Sequence, residues 1–152
     1  MKDVSLSSSH SLAVSLQAIA TQKANLSTKR IQMLNRTPEP GDWANFSANS
    51  IEIKDLAFLS AYTGHEYALM RGKKHDILFH GTHYKCNFDD ELYDLLVSGK
   101  LRLIAHSHPD ENQIIPSNDD RDFLRTIRQE SSVIISWKTG RVASFTSNRF
   151  DI

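Results

Sequence analysis

Cysteine, net charge and long apolar runs are all scarce in this sequence of 152 residues, and each scarcity excludes a class of protein. The single cysteine, Cys86, excludes an intrachain disulfide framework and a cysteine-rich zinc module. The 18 basic and 18 acidic side chains balance, so nucleic-acid binding driven by bulk charge and a polybasic membrane anchor are not expected. No apolar run approaches the roughly 20 residues that span a bilayer.

The first residues also lack the pattern of a secretory signal peptide. Residues 5–11 are polar where the apolar core of such a signal should begin. We therefore predict a cytoplasmic protein, with export that uses no cleaved signal as the alternative. We predict neither a nucleic-acid nor a membrane partner, and the oligomeric state stays open.

The length predicts one domain with an appended arm. Residues 1–36 are rich in Ser, Ala, Gln, Thr and Lys, and their apolar side chains recur at loosely helical spacing. The two prolines and the glycine within residues 37–42 end any helix there. We predict an N-terminal helical arm and linker over residues 1–40, and a folded domain over residues 41–152. Trp43 and Phe46 are predicted to anchor the arm to the core.

Beyond the linker, helical and extended patterns alternate along the chain. Helices are predicted near residues 50–64, 89–99 and 117–129, and strands near residues 66–70, 77–80, 101–108, 133–137 and 142–145. The last two strands are predicted to form a hairpin over residues 138–140. The prediction is an α+β domain with a mixed or antiparallel sheet of about five strands and flanking helices.

The run His106-Ser107-His108-Pro109 carries the strongest chemical signal. It follows an apolar stretch, residues 101–105, that is typical of a buried strand. Residues i and i+2 of a strand point to the same face, so His106 and His108 are predicted to project side by side. Two neutral imidazoles and a carboxylate, with one coordination position open, make up a ligand set of catalytic zinc.

Asp120 is a candidate for that carboxylate, although a structural role also explains it. Ser117 and Asp120 have the spacing of a capping box at the start of a helix. The cap does not exclude metal binding, because it fixes the helix start and thereby aims the Asp120 carboxylate. Asp119 is the nearest rival, since the phase of the helix decides between the two, and Asp110 and Glu111 are more distant ones.

Glu66 lies at the start of a predicted strand. A carboxylate near a zinc-activated water can take its proton and pass it to a leaving amine. Taken alone, Glu66 is better explained as a solvated charge at a strand end. Glu52 also lies upstream of the histidines, and the assignment of a base therefore depends on the wider pattern.

The order Glu66, His106-Ser107-His108-Pro109 and Ser117-x-x-Asp120 resembles the JAMM motif of the JAB/MPN zinc metallopeptidases. That family has a Glu, then His-x-His-Pro, then a short loop and Ser-x-x-Asp. Residues 110–116 match the loop. The resemblance covers roughly residues 45–148 and is nearest to small bacterial and phage-associated (RadC-like) JAB domains.

The resemblance implies the JAB/MPN fold with its cytidine-deaminase-like core, and hydrolysis of a peptide or isopeptide bond. It implies that His106, His108 and Asp120 bind zinc (Zn2+), about one ion per chain, with water as fourth ligand. It also implies that Glu66 is the general base and then acid, and that Ser117 helps to bind the oxyanion.

The implied partner is a peptide or protein substrate. A ubiquitin-like conjugate is one candidate. Ubiquitin itself is not favoured, because no long substrate-gripping insertion of the deubiquitinase type is apparent. Two alternatives stay open: a non-catalytic binding module with the JAB fold, and a secreted effector or toxin domain that uses the same zinc site.

Two further groups have alternative interpretations. A second metal site from His80, His83 and Cys86 is an alternative to a plain connecting loop. Three arginines on the predicted helix after Ser117 are expected to form a solvated face, with binding of a substrate carboxylate as the alternative: Arg121, Arg125 and Arg128.

Overall fold

The computed structural model describes residues 27–83, 85–108 and 114–148. In chain order the elements are α1 (Thr28–Arg36), β1 (Trp43–Ser47), α2 (Ile53–Thr63), β2 (Tyr67–Arg71), β3 (His75–His80), α3 (Asp90–Val97), β4 (Arg102–His108), α4 (Asn118–Thr126), β5 (Ser131–Ser136) and β6 (Val142–Thr146). Within these described ranges, no helix has the length and apolar character needed to cross a membrane.

The six strands form one mixed sheet in the order β1-β3-β2-β4-β5-β6. Only the pair β4–β5 is parallel. The prediction of an α+β domain with a mixed sheet and flanking helices is confirmed, and the predicted hairpin joins β5 to β6.

The predicted count of about five strands was too low by one, because β1 has little strand signal in its sequence. We predicted Trp43 and Phe46 only as residues that anchor the arm to the core. They lie in an edge strand that pairs antiparallel with β3, from Trp43 opposite Phe79 to Ser47 opposite His75. Trp43 packs against one core cluster and Phe46 against the other, one on each face of the sheet.

Helices cover both faces of the sheet. One face carries an open cleft, lined in part by His106, and is called the cleft face. It is covered by α3 and α4, and its buried core includes Ala68, Met70, Leu92, Leu96, Leu103 and Leu124. The other, called the sealed face, is covered by α1 and α2, and its buried core includes Met33, Leu56, Leu59, Tyr67, Leu69 and Ala105. Burial of these two apolar sets on opposite sides of one sheet makes a three-layer arrangement.

A bulge in β4 changes which side chains reach the cleft face. Leu69 pairs with Ala105, but the next residue of β2, Met70, pairs with Leu103, so Ile104 is the extra residue. Without the bulge, strict alternation would put Leu103 on the sealed face beside Ala105. Because of it, Leu103 and His106 both line the cleft.

The described part of the predicted arm is tied to the domain. Helix α1 packs on α2, where the Arg30 guanidinium lies 2.9 Å from the buried carboxylate of Asp55. The predicted linker runs along the end of β3, where the Gly41 N–H donates to the carbonyl of His80 and the His80 N–H donates to the carbonyl of Asp42. Residues 1–26 of the predicted arm lie outside the described residues.

Candidate metal centre

The carboxyl end of β4 delivers His106 and His108 to the cleft face, as their spacing predicted. His106 pairs with Ala68 of β2 on one side and with Ile134 of β5 on the other, so its backbone is held from both edges. Both rings turn the same nitrogen inward, and the two Nε2 atoms are 3.1 Å apart.

Helix α4 supplies the carboxylate that faces these nitrogens. Oδ1 of Asp120 lies 3.3 Å from Nε2 of His106, and Oδ2 lies 3.5 Å from Nε2 of His108. Ligand atoms at about 2.0–2.1 Å from a tetrahedral zinc ion are separated by about 3.3 Å. Among the described residues, His106, His108 and Asp120 therefore form a group that could hold a metal ion.

The predicted capping box is present and fixes the Asp120 side chain. Ser117 is the N-cap of α4, its Oγ accepts the N–H of Asp120 at 3.0 Å, and its own N–H donates to Oδ2 of Asp120 at 2.9 Å. A hydrogen bond to one carboxylate oxygen orients the other, as supporting bonds around metal ligands commonly do. The orientation of Asp120 that caps helix α4 is therefore also the one that faces the two imidazoles.

The electrostatics keep Asp120 ionised, the form that a metal ligand needs. Burial alone would raise the pKa of this carboxyl. The hydrogen bonds from His106 and His108 and from the backbone of Ser117 outweigh burial and hold the pKa of Asp120 well below its usual range.

The rival acids differ in their placement. Asp119 lines the same cleft but is exposed, and it is not part of the group that could hold a metal ion. Helix phase thus selects Asp120, at the third helical position, over its neighbour. Asp110 and Glu111, together with Pro109, lie outside the described residues.

Glu66 lines the cleft with the three candidate ligands and is only 8% exposed. Helix α2 ends at Gly64, whose φ of 78° is the left-handed conformation that glycine adopts without strain, and the chain then turns into β2. The register of β2 and β4 ends where Ala68 pairs with His106, and extending the same antiparallel alternation by two residues would place Glu66 opposite His108. Glu52 instead caps the start of α2.

The backbone of Glu66 is held by the segment that follows β3. Its N–H donates to the carbonyl of Thr82, and its carbonyl accepts the N–H of Gly81 at 2.7 Å. A Cβ on Gly81 would lie 2.7 Å from the carbonyl oxygen of Lys85, 2.8 Å from Sγ of Cys86 and 3.0 Å from the carbonyl oxygen of Glu66. Only a glycine fits this close approach.

Cys86 was not predicted to adjoin Glu66. Its Sγ lies 3.8 Å from Oε1 of Glu66, which is within reach of a weak S–H hydrogen bond. Burial raises the pKa of the Cys86 thiol, and the negative charges of Glu66 and Asp120 add to that effect. The neutral thiol is therefore the form present beside the candidate base. No sequence pattern indicates this contact, which depends on the packing of the loop after β3.

The alternative second metal site is not assembled. Nδ1 of His80 donates to the carbonyl oxygen of Thr37 at 2.7 Å, so the neutral ring accepts at Nε2 from Nδ1 of His65, 2.8 Å away. Burial lowers the pKa of His80, which favours this neutral ring. His83 instead bonds the carbonyl of Gly64, and Cys86 adjoins Glu66.

Two of the three arginines hold the segment that follows β6. Nη1 of Arg121 donates to the carbonyls of Thr146 and Asn148, and Nη2 of Arg125 donates to the carbonyl of Ser147. Two of the side chains that we expected to be solvated therefore form hydrogen bonds with backbone carbonyls of the chain itself.

Comparison of this chain with protein-family models, with curated proteins and with solved structures finds no match. Membership of the JAB/MPN family therefore stays a prediction, and the functional interpretation depends on the geometry of the site.

Proposed function

We propose that this protein is a zinc-dependent metallopeptidase or isopeptidase of the JAMM type, which hydrolyses an amide bond of a peptide or protein substrate. The observation that carries the proposal is the convergence of His106, His108 and Asp120 beside Glu66 in one cleft. This is a ligand set with a carboxylate next to it, in the order and spacing of the motif that the sequence resembles.

The residues present fit a zinc ion. Their donor atoms are two imidazole nitrogens and an ionised carboxylate. The two nitrogens are 3.1 Å apart, each lies 3.3 or 3.5 Å from one of the two carboxylate oxygens, and one ligand atom from each residue lies within 4.8 Å of the others. All three residues line the same cleft. A bound zinc ion would supply Lewis-acid activation of a water molecule and of a substrate carbonyl.

The side chains of this chain would then manage the protons. Glu66 takes a proton from the attacking water and delivers it to the amine nitrogen that leaves, so the carboxylate is restored at the end of the cycle. The Ser117 hydroxyl accepts the N–H of Asp120, so its hydrogen can be donated to the substrate oxygen that becomes negative. Residues 66 and 117 thus have separate tasks in one hydrolysis.

Metal analysis and hydrolysis assays on four forms of the protein test the proposal. We expect wild type to bind about one zinc per chain and to cleave members of a quenched-fluorescence peptide library or a ubiquitin-like conjugate. Glu66→Gln should keep the zinc and lose at least about 100-fold in rate. Asp120→Ala should lose the zinc as well as the activity. Glu52→Gln is the matched control and should keep both, because Glu52 lies at the N-cap of α2 and does not line the cleft.

Two results would contradict the proposal. Full activity of Glu66→Gln would remove the assigned base. Stoichiometric zinc without hydrolysis of any tested amide would favour a binding module instead.

A further inference from the structure

One wall of the cleft beside the candidate metal centre is aromatic. The cleft has a volume of about 930 Å3. Phe123 lies on α4 at position i+3 from Asp120, so both side chains are on one side of the helix. The ring of Phe123 has its centroid 5.5 Å from that of Phe88, and Phe88 in turn packs edge-on against Phe79 at 4.8 Å. The contact of Phe88 with the buried Phe79 therefore holds this aromatic wall against the core.

Apolar side chains line the cleft next to the candidate metal ligands. The ring of Phe145 packs edge-on against His106, with centroids 6.0 Å apart. Ile115 also lines the cleft and leaves 69% of its surface exposed. A substrate held at the metal centre would pass directly along this surface.

The charges of the cleft are unevenly distributed. Among the described residues that line the cleft, Glu66 and Asp120 belong to the candidate catalytic group, and the other two charged ones, Lys85 and Asp119, are exposed. A charged side chain against the rings of Phe88 and Phe123 would lose hydration without gaining a partner there. A large apolar side chain would bury its surface instead.

We infer that this wall selects substrates with a large apolar side chain, such as Phe or Leu, next to the scissile amide; the inference rests on the proposed function. Phe123 and Phe88 are the specificity-determining residues, and Ile115 extends the surface. A glycine at the same substrate position leaves the wall uncovered, and an acidic side chain is excluded.

A binding experiment tests the wall without requiring turnover. The zinc-loaded full chain is titrated calorimetrically with acetohydroxamic acid and with 2-phenylacetohydroxamic acid, which share the zinc-binding group and differ by one phenyl ring. We expect the phenyl compound to bind at least about ten-fold more tightly, as apolar groups in a hydrophobic pocket commonly do. Equal affinity of the two compounds would overturn the inference.

Variants locate the source of the preference. Phe123→Ala should reduce it to within about two-fold, and Ile115→Ser should reduce it by a smaller factor. Ile115→Ser serves as the second variant because so exposed a side chain contributes little to folding. Val142→Ala is the control, since Val142 is 57% exposed on β6 and does not line the cleft. A preference that survives both cleft variants would contradict the assignment.

Peptides separate this inference from the function on which it rests. Matched quenched peptides differ only in having Phe, Leu, Gly or Asp next to the scissile bond. Hydrolysis of the Phe and Leu peptides at least about ten-fold faster than the Gly peptide supports both proposals. Hydrolysis with no such preference overturns the inference and leaves the function standing. A phenyl preference in binding with no hydrolysis of any peptide supports the wall and overturns the function.

Discussion

The sealed face and the cleft face of the sheet bury polar side chains in opposite ways, and β4 shows both in consecutive residues. Ser107 points to the sealed face, where its hydroxyl accepts the N–H of Tyr67 at 2.9 Å. His106 and His108 point to the cleft face, where their nitrogens converge on each other and on Asp120. The Ser107 hydroxyl on the sealed face is satisfied by a fixed protein partner, whereas the two histidines and Asp120 on the cleft face form a group that could bind an ion.

An acid on each face shows the same difference. Asp76, at the end of the sheet away from the cleft, accepts hydrogen bonds from Arg71 and from the N–H groups of Asn49 and Ile51. Asp120 accepts one fixed backbone N–H, that of Ser117, and otherwise faces two imidazoles. An acid whose oxygens are satisfied by fixed donors is typical of a structural role. Nitrogen and oxygen atoms that converge on one point are stabilised by a shared cation or proton, so their convergence indicates a binding site.

Asp76→Ala should have the largest effect on folding. The side chain is fully buried, and its removal leaves the Arg71 guanidinium and the buried N–H of Ile51 without their acceptor. We expect the free energy of unfolding to fall by about 3 kcal/mol, measured by urea denaturation of the metal-free protein. Zinc affinity, measured where the variant is folded, should not change.

Asp120→Ala is the matched change on the cleft face. It removes a helix-capping side chain, so we expect a loss of only about 1 kcal/mol in the metal-free protein, with loss of zinc binding. If both variants lost similar stability and both kept zinc, the proposed difference between the two faces would be wrong.

Gly81→Ala should have the next largest effect on folding. Gly81 adjoins Glu66, which lines the cleft. The added Cβ meets backbone oxygens of Lys85 and Glu66, which cannot move away as a flexible side chain would. We expect a loss of about 2 kcal/mol in unfolding free energy and displacement of Glu66, so that hydrolysis falls more than zinc content does. Metal analysis and a cleavage assay on the same sample measure the two effects.

Gly72→Ala provides the control for that substitution. Its added Cβ would meet a Leu101 side-chain atom at 3.1 Å and the Lys100 carbonyl at 3.2 Å, which small shifts can relieve. We expect less than about 1 kcal/mol of destabilisation and unchanged zinc content. Equal effects of the two alanines on hydrolysis would show that the contact of Gly81 with Glu66 is not special.

Local sequence signals predicted much of the candidate site. The alternation of His106 and His108 depends only on the period of a strand, and the capping box of Ser117 and Asp120 depends only on one helical turn. Both are confirmed by the contacts of the structure. The end of α2 at Gly64 was also predictable, because a glycine after an apolar helical pattern is a strong stop signal.

Features that depend on distant segments could not be predicted. The bulge at Ile104 arises from the pairing of β4 with β2, and nothing in its own sequence indicates the extra residue. The presence of Glu66 and His108 in one cleft also depends on the pairing of these two strands. Strand β1 was missed because a short Trp-Ala-Asn-Phe-Ser segment after two prolines has a weak strand pattern, and only pairing with β3 stabilises it.

The smallest expected effect concerns the reactivity of Cys86. Because burial and the charges of Glu66 and Asp120 raise the pKa of this thiol, little thiolate is present near neutral pH. We expect iodoacetamide to alkylate Cys86 at least about ten-fold more slowly than glutathione at pH 7.5, with a rate that keeps rising up to about pH 10. Mass spectrometry of timed samples measures the rate.

The same rate reports on Glu66 without any assay of hydrolysis. Glu66→Gln removes one of the two negative charges that raise the thiol pKa, so alkylation of the metal-free variant should become faster than that of wild type. Glu52→Gln, at the start of α2, should leave the rate unchanged. An unchanged rate in Glu66→Gln would mean that Glu66 and Cys86 do not interact in solution as their 3.8 Å contact implies. In that case Glu66 would not be held on the cleft face, and the proposed difference between the acids of the two faces would not extend to Glu66.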